Sequence, residues 1–241
     1  MVKKQILFSD YDGTLYIKNQ DMQRNIKLID KYRELGGKFV IVTGRSKNSI
    51  DGEIKKYNIP YDYIITNNGA SIFDDTGNKI YNQPISIKTS LKIIDYLKSK
   101  ENIEVFYYAE QDKVEYNKQE LLKIRVRTSE RDVAKNIEKQ LNIVFANKIV
   151  AHAAFPSIYY SNSEISIVEI VSAKAGKEKS IRKLLQLLNI PSEQVITIGD
   201  GRNDIAMIKE FNGYSMETAD EEVKQVASKI FKSVGDMIEQ Q

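Results

Sequence analysis

Two short segments of the chain place several carboxylates directly after apolar runs. Asp10 and Asp12 follow "ILFS", and Asp200 and Asp204 follow "VITIG". Carboxylates grouped this closely repel one another, and some would take up protons unless a cation balanced their charge. Mg²⁺ suits these residue types because it prefers oxygen ligands and keeps several waters for use with a phosphate. The four acids therefore predict a magnesium site and chemistry on a phosphorylated ligand.

The loops that follow the apolar runs also hold residues suited to an anion. Gly44 follows Thr43 directly after "KFVIV". Glycines in such loops let backbone N–H groups approach an anion closely, and the Thr43 hydroxyl is a further donor. A bound phosphate also needs a cation, and Lys177, at the start of a predicted helix, is the best candidate. Lys174 lies three residues earlier and stays an alternative.

Taken singly, each of these residues has an ordinary structural interpretation. An aspartate after a strand is usually a turn residue or a helix cap, threonines are often caps, and helical lysines usually face solvent. Here the patterns Asp-x-Asp-Gly-Thr and Gly-Asp-x-x-Asn-Asp both follow predicted strands. That combination favours one shared site over a set of unrelated turns.

Strands and helices that could position these residues alternate in the first third of the chain. The segments "QILFSD", "KFVIVTGR" and "YDYIITNNG" are short, continuous apolar runs that predict buried strands. Apolar residues at helical spacing lie between them, in "MQRNIKLIDKYRELGG" and "SKNSIDGEIKKYNI". This order predicts a parallel sheet with helices on its faces. The carboxyl ends of its strands share one edge, where ligands bind.

The middle of the chain, residues 83–173, has a different pattern. Two amphipathic helices are mixed with strand-like runs such as "IEVFYYAE", "IVFANKIVAHAAF" and "EISIVEIVSA", which predicts an α+β unit with mainly antiparallel pairing. The earlier pattern resumes with the helix "KEKSIRKLLQLLNI", the strand "QVITIGD" and the helix "ADEEVKQVASKIF". We therefore predict an α/β core domain, residues 1–82 and 174–241, interrupted by an α+β domain at residues 83–173.

The composition excludes several classes of function. The 241 residues carry a net charge of +3, with Lys and Arg spread along the chain, which argues against a nucleic-acid partner. The absence of cysteine excludes disulfides and thiolate sites, and the single histidine, His152, excludes a cluster of His ligands. We expect a cytoplasmic location and no membrane partner, because we find neither a membrane span nor a signal-peptide pattern. The sequence leaves the oligomeric state open.

Together, the motifs resemble those of the haloacid dehalogenase superfamily, and their order and spacing resemble its Cof-type (subclass IIB) sugar phosphatases. The four motifs correspond to the segments Asp10–Thr14, Thr43, Lys177 and Gly199–Asp204. In that subgroup an α+β cap domain is inserted between the second and third motifs. The resemblance implies a Rossmann-like core and Mg²⁺-dependent hydrolysis of a small phosphorylated metabolite through an aspartyl-phosphate intermediate.

The resemblance also implies a role for each site residue. Asp10 would be the nucleophile and a metal ligand, whereas Asp12 would bind the metal through its backbone carbonyl and transfer protons through its carboxyl group. Asp200 would be a further metal ligand, and Asp204 would order the metal's water shell. The phosphoryl oxygens would be held by Tyr11 through its amide and by Thr43, Gly44, Lys177 and Asn203.

Two other functions are compatible with the same motifs. A phosphomutase on this scaffold would need a phosphate donor and would retain its intermediate, and a non-catalytic sugar-phosphate sensor would bind without turnover. In the predicted cap, one residue of the pair Tyr159–Tyr160 could reach a substrate. We expect a structural role for His152, because it is isolated in an apolar stretch.

Overall fold

The computed structural model describes residues 5–18, 20, 22–110, 112–155 and 165–240. These residues form two β-sheets, each packed against its own helices around its own apolar core. None of the described helices is both long enough and apolar enough to span a membrane.

The larger sheet, hereafter the central sheet, is mostly parallel. Its strands are β1 (Ile6–Asp10), β2 (Lys38–Val42), β3 (Tyr63–Thr66), β4 (Ser71–Asp74), β5 (Lys79–Asn82), β11 (Val195–Gly199), β12 (Tyr214–Met216) and β13 (Lys229–Phe231). Their order is β13-β12-β11-β1-β2-β3-β4-β5. Among the described strands, the antiparallel pairs of this sheet are β3 with β4 and β4 with β5, and the remaining pairs are parallel. The predicted α/β fold is therefore confirmed.

Helices cover this sheet, and its middle strands are buried along their whole length. The helices are α1 (Met22–Glu34), α2 (Lys47–Tyr57), α5 (Lys177–Leu188), α6 (Ile205–Glu210), α7 (Glu221–Lys224) and α8 (Val234–Glu239). Every residue of β1 and β11 is buried. This burial explains why both strands are continuous apolar runs instead of alternating ones.

The chain reverses its direction of travel across the sheet between β1 and β11. From β1 it proceeds to β2 and β3 on one side, and β11 to β13 lie on the other side. The register pairs Ser9 with Ile198, so the carboxyl ends of β1 and β11 are level with each other. A reversal of this kind opens a crevice beyond the strand ends, which is where ligands bind in open α/β sheets.

The smaller sheet, hereafter the insert sheet, is antiparallel throughout. Its strands are β6 (Glu104–Tyr108), β7 (Lys113–Val114), β8 (Lys123–Thr128), β9 (Ile149–Ala154) and β10 (Ser166–Ser172), in the order β7-β6-β8-β10-β9. Helices α3 (Ile87–Lys98) and α4 (Arg131–Val144) contribute to the same apolar core. Ile124 and Val168 are part of this core, whereas the alternating residues Lys123 and Glu169 lie on the opposite face.

The structure differs from the sequence prediction in three places. The segment after "IEVFYYAE" is predicted to hold only polar connections, but residues 123–128 form strand β8. The helix predicted across residues 219–231 ends at Lys224, and residues 229–231 instead pair with β12 as a parallel edge strand. The strand predicted from residue 143 begins at Ile149, because α4 continues to Val144.

The turn after β3 makes close contact with the start of α5. Gly69, in the short 3-10 turn Asn67–Gly69, has φ of +93°. Its carbonyl accepts a hydrogen bond of 2.5 Å from Ser180 Oγ, and a Cβ at Gly69 would collide with the backbone of Gly176. Because α5 begins at Lys177, this glycine helps to set where that lysine lies.

We predict that Gly69→Ala destabilises the fold more than Gly77→Ala. Both glycines have positive φ, but a Cβ at Gly77 would meet open space. The control should therefore lose only the backbone preference, about 1 kcal/mol. Gly69→Ala should lose about 2–4 kcal/mol, because overpacking adds to the backbone cost. Urea unfolding measures both, and equal losses would show that the contact with Gly176 is unimportant.

Candidate active site

Three buried carboxylates meet where β1 and β11 end. Asp10 is the last residue of β1, Asp200 follows β11, and Asp204 ends the 3-10 turn after it. One carboxylate oxygen from each lies within 4.8 Å of the others. The structure therefore brings together three of the four acids that the sequence predicted as a metal site.

Lys177 supplies positive charge to this cluster. Its Nζ lies 2.5 Å from Asp10 Oδ1 and 2.6 Å from Asp204 Oδ1, and its side chain is 1% exposed. Burial opposes the charged ammonium, but the attraction of the two carboxylates outweighs burial and raises the pKa of Lys177. Lys174, in contrast, is exposed. Of the two lysines that the sequence left open, Lys177 is the one at the site.

One ammonium does not balance the charge of three carboxylates, and the pKa values of Asp10 and Asp200 are raised. Burial raises the pKa of Asp10 to about 7, against the lowering effect of Lys177. Burial, followed by repulsion from Asp10 and Asp204, raises the pKa of Asp200 well above its usual range. These shifts show that the cluster, taken alone, carries more negative charge than its surroundings stabilise.

The first motif also holds Asp200 in place. Thr14 Oγ1 donates a 2.6 Å hydrogen bond to Asp200 Oδ1. Gly13 has φ of +87°, and a Cβ there would collide with the Asp200 carboxylate. The Gly-Thr pair therefore does more than turn the chain, because it allows β1 and β11 to bring their acids into contact.

The cluster suits a hard divalent cation. Both oxygens of Asp204 are engaged, Oδ1 by Lys177 and Oδ2 by the backbone N–H groups of Asp200 and Gly201. Asp10 Oδ2 and Asp200 Oδ2 have no hydrogen-bond partner among the described residues. Buried carboxylate oxygens with excess negative charge match the ligand preference of Mg²⁺. The residues present therefore fit the metal that the sequence predicted.

Asp12 lies outside this cluster and has a different partner. Arg45 binds its carboxylate in a bidentate manner, with Nη2 2.7 Å from Oδ1 and Nε 2.8 Å from Oδ2. Arg45 is itself held by Glu53 Oε1 at 2.9 Å, and Tyr11 Oη donates to the other Glu53 oxygen at 3.0 Å. The Asp12 side chain is 34% exposed. Two acids only two residues apart thus have very different environments.

Apart from Lys177, the residues predicted to hold a phosphate divide into two groups. Gly44 and Asn203 line the cavity above the carboxylates. Thr43 is fully buried, and its Oγ1 accepts a 3.1 Å hydrogen bond from the Arg45 backbone. The Tyr11 side chain is fully buried and stacks against Arg45, with the guanidinium 5.0 Å from the ring centre.

The cavity lies between the two sheets and measures about 370 Å³. This volume is in the range of small-molecule sites. The central sheet contributes the acids and the surrounding loops. The insert sheet and α4 contribute a mixed wall of charged and apolar side chains: Arg125, Arg131, His152, Ala153, Ala154, Phe155, Ile167 and Glu169.

Most residues of this second wall are not among the site residues predicted from the sequence. The alternation in "KIRVRT" predicts a strand with a basic face, and Glu169 interrupts an otherwise apolar strand, so both signals were present. His152, for which a structural role is expected, lines the cavity, and burial lowers its pKa. Tyr159 and Tyr160 lie outside the described residues.

The chain is similar to known proteins in both its sequence and its fold. A family model described as haloacid dehalogenase-like hydrolase matches residues 7–236. The chain is 26% identical to kanosamine-6-phosphate phosphatase of Bacillus subtilis, over 95% of this chain and 87% of that protein. A haloacid dehalogenase-like hydrolase from B. subtilis aligns with a TM-score of 0.82 at 20% identity, over 98% and 99% of the two chains. A subclass IIB sugar phosphatase aligns with a TM-score of 0.74 at 20% identity, over 97% and 95%.

We predict that Mg²⁺ stabilises the protein more at high pH than at low pH. Because the folded pKa of Asp10 is about 7 and its ordinary value is 3.8, the folded state holds a proton that the unfolded state has released. Without metal, the stability that this site contributes therefore falls as the pH rises from 3.8 to about 7. Mg²⁺ competes with the proton, so its effect should grow over the same window.

Thermal unfolding with EDTA or with excess Mg²⁺ measures this effect. The rise in Tm on adding Mg²⁺ should be larger at about pH 8 than at about pH 5, and binding at 100 times Kd corresponds to about 2.7 kcal/mol. Asp200→Asn should lose most of the rise. A rise that is equal at both pH values, or that survives in the variant, would contradict a metal site at these acids.

Proposed function

Because the chain belongs to the haloacid dehalogenase-like hydrolase family, we propose that it is a Mg²⁺-dependent phosphatase of small phosphate monoesters, with sugar phosphates as the preferred class. The observation that carries this proposal is the buried contact of Lys177 with Asp10 and Asp204. These two acids and Asp200 line a cavity of about 370 Å³. The names of the relatives, a kanosamine-6-phosphate phosphatase and a sugar phosphatase, support the substrate class.

Asp10 is the residue we assign to the covalent step. Its carboxylate attacks phosphorus, a bond forms between that oxygen and phosphorus, and the bond from phosphorus to the ester oxygen breaks. Water then attacks the phosphorus of the aspartyl-phosphate and releases inorganic phosphate. Asp10 must be ionised to attack, although burial favours its protonated form. When bound by Asp10, Asp200 and the Asp12 carbonyl, with Asp204 behind them, Mg²⁺ would supply the charge that keeps these acids ionised.

Asp12 is the residue we assign to proton transfer. It donates a proton to the leaving alkoxide and later removes one from the attacking water. Arg45 binds both oxygens of Asp12 in the observed arrangement, so donation requires one Asp12 oxygen to turn from Arg45 towards the ester oxygen. Its 34% exposure at the cavity leaves room for that movement.

Five groups are proposed to hold the phosphoryl oxygens. A loose transition state demands positioning and charge stabilisation above all, and loop amides and an ammonium provide both. The groups are the backbone N–H of Tyr11, the Thr43 hydroxyl, the backbone N–H of Gly44, the Lys177 ammonium and the Asn203 side chain.

The insert sheet and its helices are proposed to act as a cap domain, residues 83–173, over a core formed by residues 1–82 and 174–241. The cap contributes one wall of the cavity and the core domain contributes Asp10, so the cap would contact the part of the substrate that leaves as an alcohol. Polar side chains on that wall, Arg131 and His152, suit a polar leaving group such as a sugar.

A panel of phosphorylated metabolites tested with Mg²⁺ is the direct test of the function. Wild-type protein should release inorganic phosphate, and Asp10→Asn should lower the rate by about 10³-fold or more, because loss of a nucleophile leaves only binding and electrostatics. Asp75→Asn, in an exposed hairpin, is the matched control and should keep full activity. Full activity of Asp10→Asn would refute the nucleophile. Product without free phosphate would indicate a phosphomutase, and binding without turnover a sensor.

The two neighbouring lysines provide a second prediction. Lys177→Met should lower kcat by about 10²–10³-fold, the usual effect of removing one preorganised donor at developing charge. Lys174→Met removes the same charge from an exposed position and should change kcat little. Steady-state kinetics on the best substrate of the panel measure both. Equal losses would mean that the lysine contacts in the site do not matter for chemistry.

A further inference from the structure

Glu169 of the insert sheet connects the two sheets through both of its oxygens. Oε1 accepts hydrogen bonds from Lys123 Nζ at 2.9 Å and from Arg125 Nε and Nη2 at 2.9 and 2.5 Å. Oε2 accepts a 2.5 Å hydrogen bond from Asn68 Nδ2, which belongs to the turn after β3 of the central sheet. A single carboxylate thus joins two basic residues of one sheet to a loop of the other.

Lys123 makes a second connection from the insert sheet to the central sheet. Its side chain is completely buried, and its Nζ donates a hydrogen bond to the Gly44 carbonyl. The ammonium also lies 4.6 Å from the ring centre of Tyr108. Gly44 is one of the residues proposed to hold the phosphate, so a cap residue directly contacts the phosphate loop.

The network continues to the loop after β11. Asn68 Oδ1 accepts a 3.0 Å hydrogen bond from Asn203 Nδ2, and the Asn68 backbone N–H donates to the Thr43 carbonyl at 3.0 Å. A Cβ at Gly44 would lie 2.9 Å from Glu169 Oε2. The network therefore reaches both phosphate-binding loops, those containing Gly44 and Asn203.

The ion pairs of Glu169 with Lys123 and Arg125 lie within the insert sheet, whereas the hydrogen bonds to Gly44 and Asn68 form only while the two sheets are in contact. Burial disfavours the Glu169 carboxylate, but Lys123 and Arg125 outweigh burial and lower its pKa to about 2. Movement of the insert sheet away from the central sheet would remove the Gly44 carbonyl from Lys123 and the Asn68 amide from Glu169. Because buried charges need partners, such movement would alter the loops as well as the cap.

We propose that Lys123 and Glu169 are positioning residues that hold the Gly44 and Asn203 loops in their working geometry only when the insert sheet is seated on the central sheet. This inference rests on the proposed phosphatase function. It differs from a role in substrate selection, because it requires the cap even for a substrate that the cap does not contact. A direct substrate contact by either residue would instead affect only substrates with large leaving groups.

The test compares Lys123→Met with Arg127→Met on two substrates, a small aryl phosphate and the best phosphosugar. Arg127 lies on the same strand and face, but its side chain is 38% exposed and pairs with Glu104 at the outer part of the sheet. Lys123→Met should lower kcat about 10- to 100-fold on both substrates with little change in KM, because small misplacements of positioning groups cost rate. Arg127→Met should match the wild type. A loss confined to the KM of the phosphosugar would overturn the proposal.

A charge-matched variant guards against loss of folding. The double variant Lys123→Met/Glu169→Gln removes one charge of each sign and keeps the net charge of the cluster. It should melt near the wild type and show a kcat no lower than that of Lys123→Met, because the residues act as one unit. Wild-type kcat in this double variant would refute the proposal.

Hydrogen exchange separates this inference from the proposed function. Amides in the peptides that contain Gly44 and Asn203 should exchange faster in Lys123→Met than in Arg127→Met, by about tenfold, whether or not the protein is a phosphatase. Inactivity of the wild type on every phosphate ester would refute the proposed function alone. Unchanged exchange in both peptides would refute the positioning role alone.

Discussion

The main constraint on this structure is electrostatic, because three carboxylates are buried together with a single ammonium. Asp10, Asp200 and Asp204 come from two strand ends that are neighbours only because the chain reverses direction across the sheet. Several features then serve the same electrostatic need: Lys177 pairs with two of the acids, and Thr14 donates to the third. The charge that is still unbalanced matches the ligand preference of a hard divalent cation.

The two acids of the first motif show how local environment separates chemical roles. Asp10 points into the buried cluster, where burial raises its pKa to about 7. Asp12, two residues later, is partly exposed and is bound by Arg45. Glu53 in turn binds Arg45 and accepts a hydrogen bond from Tyr11. A pair of carboxylates in unlike surroundings is a common arrangement for dividing work between them. Here the surroundings differ because Asp10 ends the buried strand β1 and Asp12 lies in the turn after it.

The sequence was sufficient for the features that depend on local pattern. Apolar runs that end in acids predicted the strand ends, and the alternating order predicted the parallel sheet that collects Asp10 and Asp200 at one edge. It was insufficient for contacts between distant segments, because no periodicity indicates that Lys123 meets Gly44 or that Glu169 meets Asn68. The prediction of a helix at edge strand β13 was wrong for a related reason, because pairing with β12 decides the conformation of this segment.

The distance along the chain between β1 and β11 has a consequence for biosynthesis. Ile6 pairs with Val195, so one edge of the buried strand β1 has no partner until most of the chain has left the ribosome. During that time the strands β1 to β5 and the whole insert sheet can form, while the open edge of β1 presents unpaired backbone groups. Such long-range pairing slows folding. The nascent protein is therefore exposed to aggregation during a defined interval of translation, and chaperone contact at β1 should be most valuable then.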